Sequence, residues 1–148
     1  MTDQKPEISR RRSLKIIGAS ALAPTALIGC TPRRIFRTTP GPGPDQEVRI
    51  PRHELSALPA GAALWVRAGA VSFVVRKLET VFAAFIPKCT HRGCPLDVEA
   101  DGFYCPCHGS RFTRAGKVSK GPARMALTQL TVRATDDASG DIFVRLMR

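Results

Sequence analysis

Two short segments constrain this 148-residue chain more than any other feature: Cys89-Thr90-His91-Arg92-Gly93-Cys94-Pro95-Leu96 and Cys105-Pro106-Cys107-His108-Gly109-Ser110-Arg111-Phe112. Each sets a thiol and an imidazole close together, Cys89 with His91 and Cys105 with His108. Two Cys and two His carried by paired loops hold a metal in tetrahedral geometry. Thirteen residues separate His91 from Cys105, room for a strand or two to return the chain. A fold that uses both segments must therefore bring two loops face to face.

The rest of the second half reads as short strands. Period-two and β-branched runs fall at 47–50, 63–67, 71–78, 81–87, 103–105, 127–135 and 142–147. Turn signals separate them, among them Pro59-Ala60-Gly61, Ala68-Gly69 and the stretch Asp136-Asp137-Ala138-Ser139-Gly140. No long helical period follows residue 30, and no internal repeat is present. The expectation is an all-β domain, an antiparallel sandwich or small barrel. His53 falls in a turn away from the cysteines and reads as an ordinary surface histidine.

The N-terminal segment reads as an address. Ser9-Arg10-Arg11-Arg12-Ser13-Leu14-Lys15 precedes an apolar run of 13 residues, Ile16 to Ile28. A bilayer span needs about 20 residues, so the run suits a signal h-region and not a permanent anchor. The pattern resembles a twin-arginine signal, with Ser13 in place of the usual Phe. Leu27-Ile28-Gly29-Cys30 resembles the lipobox of bacterial lipoproteins, in which the Cys thiol carries diacylglycerol. The alternative is an uncleaved leader with a buried Cys30. Residues 31–46, with Pro and Gly alternating from Pro40 to Pro44, read as a semi-extended spacer. Its Arg33, Arg34 and Arg37 either meet anionic headgroups or stay solvated. The expected division is thus signal 1–29, lipid attachment and tether 30–46, and folded domain 47–148.

Charge is less informative than it first looks. The net charge is +11, which raises nucleic acid, anionic membrane or an acidic partner. Residues 1–29 hold five basic and two acidic side chains, so +3 belongs to the export signal and +8 to residues 30–148. With one Trp and one Tyr, little aromatic surface exists for stacking on single strands, and no nucleic acid is expected as a partner. The five cysteines are an odd number, so no all-disulfide scheme closes within the chain.

The two Cys/His segments resemble the Rieske iron–sulfur proteins, whose motifs are C-x-H-x-G-C and C-x-C-H-G-S. Both motifs are present in full and in order, and the resemblance covers residues 48–147, including the weaker Gly121-Pro122-Ala123 segment. It implies the Rieske fold, an antiparallel β base with a small cluster-binding subdomain, and one 2Fe-2S cluster per chain. In that family two Cys bind one iron and two His the other. Position for position, the ligands are Cys89 and Cys105 for one iron and His91 and His108 for the other. Imidazoles in place of two thiolates make the cluster less negative and easier to reduce, hence potentials of about −150 to +300 mV. The second ring nitrogens remain free to ionise, which couples reduction to proton uptake.

The resemblance also accounts for the other thiols. Cys94 and Cys107 match the pair that forms a disulfide between the cluster loops in one branch of the family. That bond needs an oxidising compartment, in agreement with export to the periplasmic side of a bacterial envelope. Ser110 matches the hydroxyl that donates to a bridging sulfur in the high-potential branch. Phe112 stands where that branch has Tyr, so a potential below that of the Tyr-bearing members is expected. Arg92 stands where quinol-oxidising members carry Leu beside the exposed His. It either points to solvent or favours an acidic partner protein.

One-electron transfer is the implied function, as the iron–sulfur subunit of an oxidoreductase complex and not as a self-contained enzyme. The chain shows no Ser–His–acid set, carboxylate pair, phosphate loop or open mononuclear iron site. The expected setting is a quinol:cytochrome c oxidoreductase-like chain, with cytochrome b and its quinol site or a c-type cytochrome as partner. The alternative is the small subunit of a periplasmic molybdenum oxidase resembling arsenite oxidase, beside a molybdopterin subunit. Either would be tethered to the membrane surface through Cys30. A lipid-anchored zinc module is the remaining reading, but it leaves Ser110 and the Cys94/Cys107 pair without a role.

Overall fold

Strands β4 (Val71–Leu78) and β5 (Val81–Phe85) form the wall on which the molecule is built. A computed structural model of the chain describes residues 33–41, 46–59, 61–135 and 138–146. The expected export signal, Cys30 and its attachment site lie outside the described residues. Among the described residues, no helix is long and apolar enough to cross a membrane.

In β4 the four consecutive residues Phe73, Val74, Val75 and Arg76 are all buried, so both faces of the strand are covered. Alternation then divides them. Phe73 and Val75 pack with Leu64, Val66, Ala84, Leu130 and Val144 in the base core. Val74 faces the other way, with Ala83 and Phe85 of β5, into a second core that also contains Cys89, Cys105, Phe103 and Phe112. One pair of strands thus serves two cores.

The base sheet has seven strands in the order β1-β3-β4-β5-β10-β11-β2. Here β1 is Ile35–Thr38, β2 Glu47–Ile50, β3 Ala63–Ala68, β10 Gln129–Ala134 and β11 Ile142–Arg145. A smaller sheet, β6-β7-β8-β9, comprises Asp97–Glu99, Gly102–Tyr104, Arg111–Thr113 and Val118–Lys120. All ladders are antiparallel except β1 with β3. The chain leaves the base at the end of β5 and re-enters at β10, whose Gln129 and Leu130 pair with Phe85 and Ala84. Everything between forms the smaller sheet and its loops. The architecture is the expected all-β base with a small site subdomain.

The spacer reading of residues 31–46 needs correction at one place. Ile35–Thr38 is a strand, in parallel register with Trp65–Ala68 of β3. Phe36 packs on the base core, and Arg33 stacks over Trp65 at 3.8 Å. Apolar contact to an unpaired sheet edge outweighs the polarity of the flanking arginines. Residues 52–56, read as part of a turn, form the five-residue helix α1, which buries Leu55. His53 sits on it exposed, beside Glu54 at 3.6 Å, as a surface histidine should.

Arg76 joins the two units. Its side chain is fully buried, and its guanidinium donates to the carbonyls of Gly102 at 2.8 Å, Glu99 at 2.5 Å, Ala100 at 2.9 Å and Gly61 at 2.9 Å. It therefore grips the β6–β7 turn from the base. Its planar fork of donors suits several carbonyls at once, where an ammonium would not span them. Burial, with Arg114 adding to it, lowers the guanidinium's pKa below the ordinary value, and Asp101 opposes the shift.

Candidate metal centre

Two loops at one end of the smaller sheet carry the Cys/His motifs, and they close in the same way. In the first, the Cys89 N–H donates to the Cys94 carbonyl at 2.7 Å and the Gly93 N–H donates back to the Cys89 carbonyl at 2.7 Å. In the second, the Cys105 N–H donates to the Ser110 carbonyl at 2.9 Å and the Gly109 N–H to the Cys105 carbonyl at 2.9 Å. Gly93 and Gly109 hold φ of +72° and +74°, in the left-handed region that L side chains avoid. Neither would bring a Cβ within 4 Å of another atom, so backbone conformation alone demands glycine there.

These turns gather the side chains named from the sequence. Cys89 and Cys105 are free thiols, both buried within the second core. Cys94 and Cys107 are joined in a disulfide across the two loops, as expected. The rings of His91 and His108 lie 4.9 Å apart and nearly perpendicular. The Nδ1 atom of His91 is buried and has no hydrogen-bond partner among the described residues, while His108 is exposed. The sulfurs of Cys94, Cys105 and Cys107 lie within 4.8 Å of one another. Two of these three are spent in the disulfide, so they are no thiolate triad. What remains for a metal is two thiols and two imidazoles.

The surroundings are apolar on one side and hydrogen-bonded on the other. Leu96, Phe103, Phe112 and Leu127 pack against the two free cysteines, and Phe103 meets Phe85 edge-on at 5.6 Å. The Gly121-Pro122-Ala123 segment reaches both loops. The buried Ser110 Oγ accepts the Ala123 N–H at 3.0 Å, and the Thr90 hydroxyl donates to the Met125 carbonyl at 2.6 Å. No acceptor for the Ser110 hydroxyl hydrogen exists among the described residues, so that donor is available to a group bound between the loops. Thr90 and Arg76 escaped the sequence reading. Thr90 sits inside a motif at a variable position and carries no signal. Arg76 was visible as a cation directly after the apolar Phe73-Val74-Val75 run of β4.

An orphaned imidazole nitrogen aimed inward, two free buried thiols and an uncommitted buried hydroxyl fit an iron–sulfur group with mixed ligation. A family model, that of the Rieske 2Fe-2S domain, matches residues 49–131. The cytochrome b6-f complex iron-sulfur subunit 2 of Nostoc sp. is 29% identical, over 93% of this chain and 86% of that protein. The cytochrome b6-f complex iron-sulfur subunit of Prochlorococcus marinus is 50% identical over 52 residues, which span 34% of this chain and only 29% of that one. Among solved structures, the cyanobacterial plasma membrane Rieske protein PetC3 from Synechocystis PCC 6803 superposes with a TM-score of 0.54. It is 28% identical and covers 67% of this chain and 99% of its own. A complex of oxygenase and ferredoxin in carbazole 1,9a-dioxygenase gives 0.52 at 22% identity, over 69% of this chain and 94% of that one, a likeness of fold alone.

Proposed function

The chain belongs to the Rieske 2Fe-2S family, and from that premise we propose that Cys89 and Cys105 bind one iron of the cluster and His91 and His108 the other. The cofactor is a 2Fe-2S cluster and the function one-electron transfer. The carrying observation is the buried, partnerless Nδ1 of His91 beside the His108 ring. When bound, the cluster supplies a single reversible electron at a potential raised by imidazole ligation.

The chain's own residues do the rest. With Nδ1 committed inward, Nε2 of His91 reaches solvent, and the exposed His108 ring does likewise. These outer nitrogens hold or release the proton that accompanies the electron. With a cluster held between the loops, the free hydroxyl hydrogen of Ser110 would be available to a sulfur and would favour the reduced, more negative state. The disulfide ties the loops together, and Leu96, Phe103, Phe112 and Leu127 keep water from the sulfurs.

Membership in a quinol-oxidising cytochrome complex is the setting best supported, because one relative named as a cytochrome b6-f complex iron-sulfur subunit aligns along 93% of the chain. Cytochrome b with its quinol site, or a c-type cytochrome, is then the partner. One observation favours the second setting, a periplasmic molybdenum oxidase with a molybdopterin subunit: Arg92 is exposed where quinol-oxidising members carry an apolar residue. In both, residues 1–29 direct twin-arginine export and Cys30 anchors the chain by lipid at the periplasmic face. The domain then begins within the segment 30–46, which already contributes β1.

The test is iron and acid-labile sulfide analysis of the purified full chain, with electron paramagnetic resonance after reduction. Two irons and two sulfides per chain, and a mean g below the ferredoxin value, are expected. Zinc alone, or a ferredoxin-like g, would overturn the ligand assignment.

A further inference from the structure

The polypeptide that builds the site is lopsided in charge. Segments 88–96 and 102–128 carry seven Lys or Arg and no Asp or Glu. Among the described residues, no carboxylate pairs with Lys88, Arg92, Lys120 or Arg124, and all four are exposed. The acidic groups of the smaller sheet lie on the β6–β7 hairpin, where Glu99 is taken by Arg111 at 2.9 Å. Beside His91 the surface dips into a hollow lined by Thr90, His91, Pro122, Arg124 and Met125. Met125 is 67% exposed, and the Thr90–Met125 hydrogen bond holds its backbone in place.

The geometry points to this hollow as the docking face for an acidic redox protein. Arg92 and Arg124 meet its carboxylates, and Met125 supplies the apolar contact. The inference rests on the electron-transfer reading and adds the chemistry of the partner. Arg124 on the hollow and Arg92 next to His91, neither with a salt-bridge partner among the described residues, suit a transient protein partner, because a carboxylate docks against each with no other salt bridge to break. They also steer encounter from a distance. A lipid surface would match the charge but takes no electron from the imidazole edge, so a protein is the better occupant.

Electron transfer from the reduced full chain to an acidic and to a basic c-type cytochrome, measured by stopped flow across ionic strength, tests this. The rate to the acidic cytochrome is expected to fall at least about tenfold from 0.01 to 0.2 M salt, and the rate to the basic one to rise or stay flat. Arg92→Glu with Arg124→Glu should flatten both dependences, since five other cations remain in these segments. The slope is the readout, because replacing a charge beside His91 shifts driving force and absolute rate but does not by itself alter how steeply the rate falls with salt. Arg67→Glu, on β3, should leave both slopes as they were. Met125→Ser should slow transfer and leave the slopes unchanged.

Equal slopes for the two cytochromes would overturn the docking face and leave the cluster intact. A missing cluster signal in the unaltered chain would instead sink the reading beneath it. Binding to phosphatidylglycerol vesicles that the double charge reversal abolishes would reassign the face to the membrane and overturn the proposal.

Discussion

In the first cysteine loop the third residue is His91 and the sixth is Cys94; in the second, the third is Cys107 and the sixth is Ser110. The backbone hydrogen bonds and the glycine φ values are nearly the same in both. One turn geometry is therefore used twice with different side chains hung on it, and the turn does not depend on which position carries an imidazole. What differs is the support. The second loop is spliced into the β7–β8 ladder, with Tyr104 opposite Arg111 at its mouth. The first lies in no strand ladder, and at its mouth it has the isolated bridge between Lys88 and Pro95 and the bond from the Leu96 N–H to the Pro87 carbonyl. The first loop depends on its neighbours, namely the disulfide and the Thr90–Met125 bond.

Removal of a ligand should have the largest effect and fall on both loops alike. Cys89→Ala or Cys105→Ala should abolish the visible absorbance and paramagnetic signal of the cluster, and a cluster that survives one of them would break the equivalence. Next is the disulfide, which closes a separation of 13 residues. Cys94→Ser with Cys107→Ser should cost about 3 kcal/mol in denaturant titration. Hydrogen exchange should then accelerate more in 89–96 than in 105–112, and equal acceleration would contradict the difference in support.

Ser110→Ala strands the buried Ala123 N–H and should cost about 1–3 kcal/mol while lowering the reduction potential. Loss of stability with an unchanged potential would restrict Ser110 to bracing the covering loop. Gly93→Ala and Gly109→Ala should each cost about 1–2 kcal/mol, since only φ is violated. Markedly unequal costs would show that the two turns are not the same device. The smallest effect is Phe112→Tyr, a modest rise in potential by redox titration. A potential unchanged or lowered would remove the missing hydroxyl as the explanation.

Much of this was legible in the chain because the signals are local. The two motifs contain their own turn residues, and β3, β4 and β5 announce themselves through apolar runs with Val and aromatic residues, bounded by turn signals. The strands that went unread, β6, β8 and β9, have three residues each, too few for any period. They exist because β7 and the second core give them a partner, a tertiary cause with no local trace. The strand at Ile35–Thr38 was hidden for a related reason, its polar and Pro-rich flanks outweighing two apolar residues until an open edge at β3 is known. Arg76 reads as a flaw in a hydrophobic strand until its four carbonyl partners are located 15 to 26 residues away.

The pairing of Phe85 and Ala84 with Gln129 and Leu130 places the exit from the base beside the return to it. Topologically, residues 86–128 are an insert spliced into one hairpin, with both ends at a single doorway. A cassette of that kind is portable. It can be lengthened, recharged or exchanged without re-threading the other strands, provided the side facing the wall still accepts Val74 and the grip of Arg76. The redox tip and its scaffold are thus free to change at different rates, and only the wall obliges them to agree.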